Sequence, residues 1–144
     1  MYNIITGAVS RKDQGRMDKH AALFYDEVRK RRGDEYKIAQ NTGFTVKDIE
    51  LIKSHMFFNE YDLGDPEGKL ERFTPDYDQA VSWQRLVDGR NIQEMDLVLL
   101  NHELMELKLM YEQGLSYVEA HCLANKKYDY SMYVRELNLK EGIK

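Results

Sequence analysis

The sequence predicts an all-α fold of about six helices in a compact orthogonal or bundle arrangement, and three observations carry that prediction. Apolar residues recur at three- and four-residue spacing, Ser, Thr, Asp and Gly punctuate the ends of those stretches, and no run shows the alternation of a half-buried strand. At 144 residues the chain fits a single domain, residues 1–144, and is long enough to bury a real core.

After a short N-terminal tail, residues 16–32 read as a first helix, with Met17, His20, Leu23, Phe24 and Val28 at helical spacing and Gly33 as its stop. A second helix, residues 34–41, is closed by Thr42 and Gly43. The third opens on Thr45 as N-cap with Asp48 at the favoured third position, and should run to about Phe58. Residues 59–73 are rich in Asp, Gly and Pro and read as a loop separating two halves of the domain. Asp62, Asp65 and Glu67 in that loop do not have the spacing of a calcium-binding loop.

Thr74 and Pro75 have the form of a cap followed by proline at the first helical position, and Gly89 closes this fourth helix. Its apolar stripe is Tyr77, Ala80, Val81, Trp83 and Val87. Gln84 lies on the same side and can join a polar network, while Arg85 should pair with Asp88 or Glu103. The fifth helix, residues 93–112, is apolar around most of its circumference, which marks a central element, and Gly114 ends it. Ser116 and Glu119 form a capping box for the sixth, which should reach about Tyr130 with a further turn over residues 132–137.

Composition narrows the functional classes. The net charge is −4, with 11 Lys and Arg against 9 Asp and Glu in residues 1–60, and 10 against 16 in residues 61–144, so neither half is strongly basic. The run Arg29, Lys30, Arg31, Arg32 is flanked by Asp26, Glu27, Asp34 and Glu35 and reads as cations at a helix C-terminus. One cysteine, Cys122, excludes an intramolecular disulfide and suits a reducing compartment. No stretch reaches the roughly 18 apolar residues of a membrane span, and the first residues lack a signal peptide's basic start and apolar run. The expectation is a cytoplasmic protein as given, or a virion-associated or exported one as part of a longer chain.

The segment EYKIAQNTGFTVKDIELIKSH has helix-turn-helix spacing: Ala39 for close approach, Gly43 for the turn, and Ile38, Phe44, Ile49 and Ile52 for the core. Read as a DNA-binding unit, it would turn Thr45, Lys47 and Lys53, with Asp48 and Ser54, toward the major groove. Asp48 and Glu50 interrupt that surface, where DNA binding needs uncompensated cations. A purely structural hairpin explains the same residues.

The strongest chemical signal is the C-terminal antiparallel hairpin NHELMELKLMYEQGLSYVEAHCLANKKYDY. At about 100° per residue, His102 and Glu106 fall amid the stripe of Met95, Val98, Leu99, Leu109 and Met110. On the sixth helix His121 and Asn125 share a face with Tyr117, Val118, Ala124 and Tyr128. The short turn makes the helices neighbours and sets the levels, predicting Glu106 opposite His121 and His102 opposite Asn125. A buried glutamate needs a cation, a metal or a proton.

Three chemistries fit this ladder. In the first, His102, Glu106 and His121 hold a divalent ion, zinc or manganese, with Asn125 and Tyr128 around them and Glu103 as general base; HELME resembles a zinc-protease helix with Glu106 in place of the second histidine. Glu103, however, projects about 80° from the centre of the ligand face. In the second, without metal, His55 works with His102 or His121 as acid and base and Arg85 stabilises a phosphate, although no spacing brings His55 to the hairpin. In the third, the His, Glu and Asn side chains only fix the hairpin's register. Cys122 turns away from the ladder.

Taken together, NTGFTVKDIELIKSHMFFNEYDL, RFTPDYDQAVSWQRLVDG and the hairpin resemble a helical segment at the C-termini of Gram-positive prophage proteins. These include minor head or head-morphogenesis proteins and secreted polymorphic-toxin-like proteins, and the resemblance spans residues 20–131. It carries no settled catalytic residues; the matching positions are His55, Trp83, Arg85, His102, Glu103, Glu106, His121 and Asn125. A toxin context implies a hydrolase, often one acting on nucleic acid, and a phage-head context implies a packing module with a protein partner.

Overall fold

The structure, a computed structural model, describes residues 9–143. The expected N-terminal tail lies, through residue 8, outside the described residues. Among the described residues there are seven α-helices: α1 (Gln14–Lys30), α2 (Asp34–Thr42), α3 (Val46–Lys53), α4 (Tyr77–Asp88), α5 (Glu94–Gln113), α6 (Tyr117–Lys127) and α7 (Tyr130–Lys140). A π-helical turn, Ser54–Phe58, follows α3 directly, and a two-stranded antiparallel ribbon pairs β1 (Tyr61–Asp62) with β2 (Leu70–Glu71). The mainly helical architecture is thus as anticipated, with one more helix and a small ribbon inside the segment read as loop.

Each departure has a local cause. The third helix does not continue regularly to Phe58: the amide of Asn59 donates to the Ser54 carbonyl at 2.8 Å, a wide turn in which each residue advances less than about 100° around the axis. The fourth helix is capped by Asp76 rather than by Thr74 and Pro75, because the Asp76 carboxylate accepts from the Gln79 amide at 2.9 Å. The sixth stops at Lys127, and Asp129, accepting from the Met132 amide at 3.1 Å, starts α7 as a separate helix. In α1, Leu23 is 49% exposed, and Ala21 and Tyr25 take the core positions instead. Thr45, Ser116 and Glu119 cap as expected, and Gly43, Gly89 and Gly114 close their helices in the left-handed region.

The core gathers around Trp83 of α4, with Phe24, Tyr25, Phe57, Ile38, Ile49, Ile52, Leu86, Leu99 and Leu100 all fully buried. Trp83 Nε1 donates to Asp34 at 3.1 Å, satisfying its one polar group inside this core. Helix α5 is central, packing on α3, α4, α6 and α7, as its nearly all-round apolar surface requires. This geometry delivers the π-turn to one flank of α5 and α6 to another.

Candidate metal centre

Five side chains converge at the middle of α5. Glu106, 1% exposed, accepts from His55 Nε2 at 2.7 Å through Oε1. Its Oε2 accepts from His121 Nδ1 at 2.9 Å and His102 Nε2 at 3.1 Å. The two latter nitrogens are 3.3 Å apart. Glu103 lies alongside, its Oε1 3.9 Å from His55 Nε2 and its Oε2 3.6 Å from His102 Nε2. The sets His102, Glu106, His121 and His55, Glu103, Glu106 each offer ligand atoms within 4.8 Å of one another.

The local sequence explains each arrival. His102 and Glu106 stand at i and i+4 on α5, so they share a face, and the turn through Gly114 sets His121 at the level of Glu106. His55 comes from the π-turn, which buries it together with Met56 and Phe57. Its Nδ1 meets the Tyr61 hydroxyl at 2.8 Å, and that hydroxyl is 2.8 Å from the Tyr111 hydroxyl and accepts from Asn59 Nδ2 at 3.1 Å. His102 Nδ1 donates to the Tyr128 carbonyl at 3.0 Å, which fixes its proton and aims Nε2 at Glu106.

The electrostatics follow from burial and these contacts. Burial opposes charge on His102, but the bond to Glu106 and the charges of Glu103 and Glu106 outweigh it and raise its pKa to about 9. Burial likewise opposes charge on Glu106, but the three imidazoles overcome it and hold the carboxyl well below the usual range. Glu103 has no such direct donor: burial and the neighbouring Glu106 charge push it up to about 7, against the opposing pull of the histidines. A cavity of about 320 Å³ opens onto this cluster, walled by Leu63, Phe73, Tyr117 and Asn125 among others, with no lysine or arginine in its lining among the described residues. Tyr117 stacks on His121 with ring centroids 5.4 Å apart, and Phe73 meets both His55 and Tyr117 edge-on or tilted. His121, 46% exposed on its side chain, forms the solvent edge of the cluster.

Several sequence expectations need correction. Glu103 is not peripheral: α5 is surrounded, so a residue off the hairpin face still points into protein, here toward His55. His55 does reach the hairpin, through the π-turn. His102 bonds the Tyr128 backbone carbonyl where Asn125 was expected, and Asn125 lines the cavity instead. Arg85 is outside the site; it grips the buried Asp96 with two hydrogen bonds of 2.7 and 2.8 Å rather than Asp88 or Glu103. Gln84 bonds Arg31 and Asp88, away from the cluster. In the helix-turn-helix, Thr45 and Lys47 are exposed, but Lys53 is buried, donating to the Arg31 carbonyl at 3.1 Å beside Glu35 at 3.6 Å. The basic run is also partly built in, since Arg29 donates to the Phe57 carbonyl and Arg31 lies over the Phe24 ring.

Tyr61, Phe73 and Tyr111 were not foreseen as part of the site. The only sequence signal for them is the aromatic content flanking the Gly- and Asp-rich stretch. No family model, curated protein or solved structure matches the chain. No helix among the described residues is long and apolar enough to cross a membrane.

Proposed function

We propose that the chain is a metal-dependent hydrolase of prophage or toxin origin, in which His102, Glu106 and His121 hold a zinc or manganese ion. One observation carries this reading: imidazole nitrogens from three separate parts of the chain aim at one buried carboxylate at the wall of an open cavity. A divalent ion there would polarise a substrate oxygen and lower the pKa of a bound water. The Tyr128 carbonyl keeps the proton of His102 on Nδ1, so loss of the Nε2 proton leaves a lone pair facing the site. Glu103, buried beside Glu106 and next to the ion's ligands, would serve as the proton acceptor for a bound water. Phe73 and Tyr117 form an aromatic wall on one side of the cavity. With Arg85 engaged elsewhere, any anionic group of a nucleic acid substrate would depend on the ion for its counter-charge.

A second reading is a phage structural or protein-interaction module in which the cluster only fixes the helices. It draws support from the hydrogen bonding, since Glu106 is fully satisfied by three imidazoles. DNA binding through the helix-turn-helix is the third reading, weakened by the engagement of Lys53. Metal content of protein purified without chelator or histidine tag separates them. Bound zinc or manganese that falls in both His102→Ala and His121→Ala, with hydrolysis of a nucleic acid or other ester lost in parallel, supports the hydrolase. Metal-free protein whose variants simply melt earlier supports the structural module, and retardation of duplex DNA in low salt would support the third.

A further inference from the structure

We propose that the cluster is a two-ion site, in which Glu106 bridges one divalent ion held by His102 and His121 to a second held by His55, with Glu103 as a second bridge. This rests on the metal-binding reading above and extends it from one ion to two. The division is drawn by the carboxylate oxygens. Glu106 turns Oε1 to His55 at 2.7 Å and Oε2 to His121 at 2.9 Å and His102 at 3.1 Å, so its two oxygens serve opposite histidine sets. Glu103 repeats the pattern, with Oε1 nearest His55 at 3.9 Å and Oε2 nearest His102 at 3.6 Å. Two carboxylates spanning the same two groups of imidazoles form the frame that two-ion hydrolytic sites use, with ions about 3.5–4 Å apart.

Donor number points the same way. Three imidazole nitrogens and four carboxylate oxygens converge, whereas a single tetrahedral zinc uses about four ligands and a catalytic one leaves a position open. Two of the histidines are oriented for ligation from behind, His102 by the Tyr128 carbonyl and His55 by the Tyr61 hydroxyl, while His121 is held by stacking on Tyr117. Charge also balances better with an anionic ligand present. Two divalent ions exceed the charge of Glu103, Glu106 and the cavity-lining Asp76, and the excess gives a substrate oxyanion its counter-charge in a cavity lined, among the described residues, by no lysine or arginine. In this arrangement Glu103 is a ligand rather than the proton acceptor.

The test is stoichiometry. Protein stripped with chelator is titrated with Mn2+ and followed by electron paramagnetic resonance, and its zinc content after equilibration with Zn2+ is measured by mass spectrometry. Two ions per chain, with the isolated-ion hyperfine pattern giving way to an exchange-coupled spectrum at the second equivalent, is the expected result. His121→Ala alters an exposed side chain and should retain one ion of the two; retention or loss of both overturns this division of ligands. One tightly bound ion per wild-type chain overturns the pair and leaves the single-ion hydrolase standing. No bound ion overturns both.

Discussion

Replacing Glu106 with Gln should flatten the pH dependence of folding stability in the metal-free protein. His102 is raised from its ordinary 6.5 to about 9, an increase worth about 3 kcal/mol. Because the folded state holds that proton more tightly than the unfolded chain, the contribution is fully present below pH 6.5 and is lost as pH rises through about 9. Glu103 acts in the same direction: its pKa is raised to about 7, so its ionisation also lowers stability as pH increases from 4.5 through that value. Glu106→Gln removes the hydrogen-bonded carboxylate that raises His102 and the charge that raises Glu103. Urea unfolding in chelator at about pH 6.5 and about pH 9.5 measures both proteins, and groups remote from Glu106 cancel in the comparison. The wild type should lose at least about 1.4 kcal/mol more than the variant, one pKa unit's worth. Equal losses in the two proteins would refute this account of the cluster's electrostatics.

Two further substitutions test the scaffold. Asp96→Ala should cost about 3–5 kcal/mol by denaturant unfolding, because it strips the fully buried partner of Arg85 and the acceptor of the Gln93 amide that caps α5; a loss below about 1 kcal/mol would show the ion pair to be dispensable. Gly89→Ala and Gly114→Ala share a φ of 69°, but a methyl at Gly89 would sit 2.9 Å from the Asn41 side chain and one at Gly114 meets nothing within 4 Å. Gly114→Ala should therefore cost about 1–2 kcal/mol from backbone strain alone, and Gly89→Ala more, because moving Asn41 aside breaks its hydrogen bonds to the Leu86 and Val87 carbonyls, as thermal melts compared side by side will show.

Much of the scaffold could be read from local chemistry. Caps such as Thr45 with Asp48 and Ser116 with Glu119, and stops such as Gly89 and Gly114, depend on bonds within a few residues, so their identities suffice. The meeting of Glu106 with His121 was legible for a related reason: a short turn converts sequence distance into helical level. What escaped depends on tertiary docking. His55 reaches Glu106 across 51 positions, and only after an irregular turn re-aims it. The burial of Glu103 follows from α5 being enclosed on more than its hairpin face, and Arg85 finds Asp96 in the first turn of α5 rather than Asp88 on its own helix or Glu103 further along α5. Tyr61, which backs His55, arrives on a ribbon of two-residue strands too short to leave a pattern.

The π-turn at Ser54–Phe58 can also be viewed as an α-helical turn carrying one surplus residue. Shortening the chain by that residue would leave Ile49 and Ile52 seated in the core but would shift the buried Met56 and Phe57 together with His55. A single-codon deletion would therefore strike the site and the core at once, because the same turn presents His55 to Glu106 and Phe57 to Trp83.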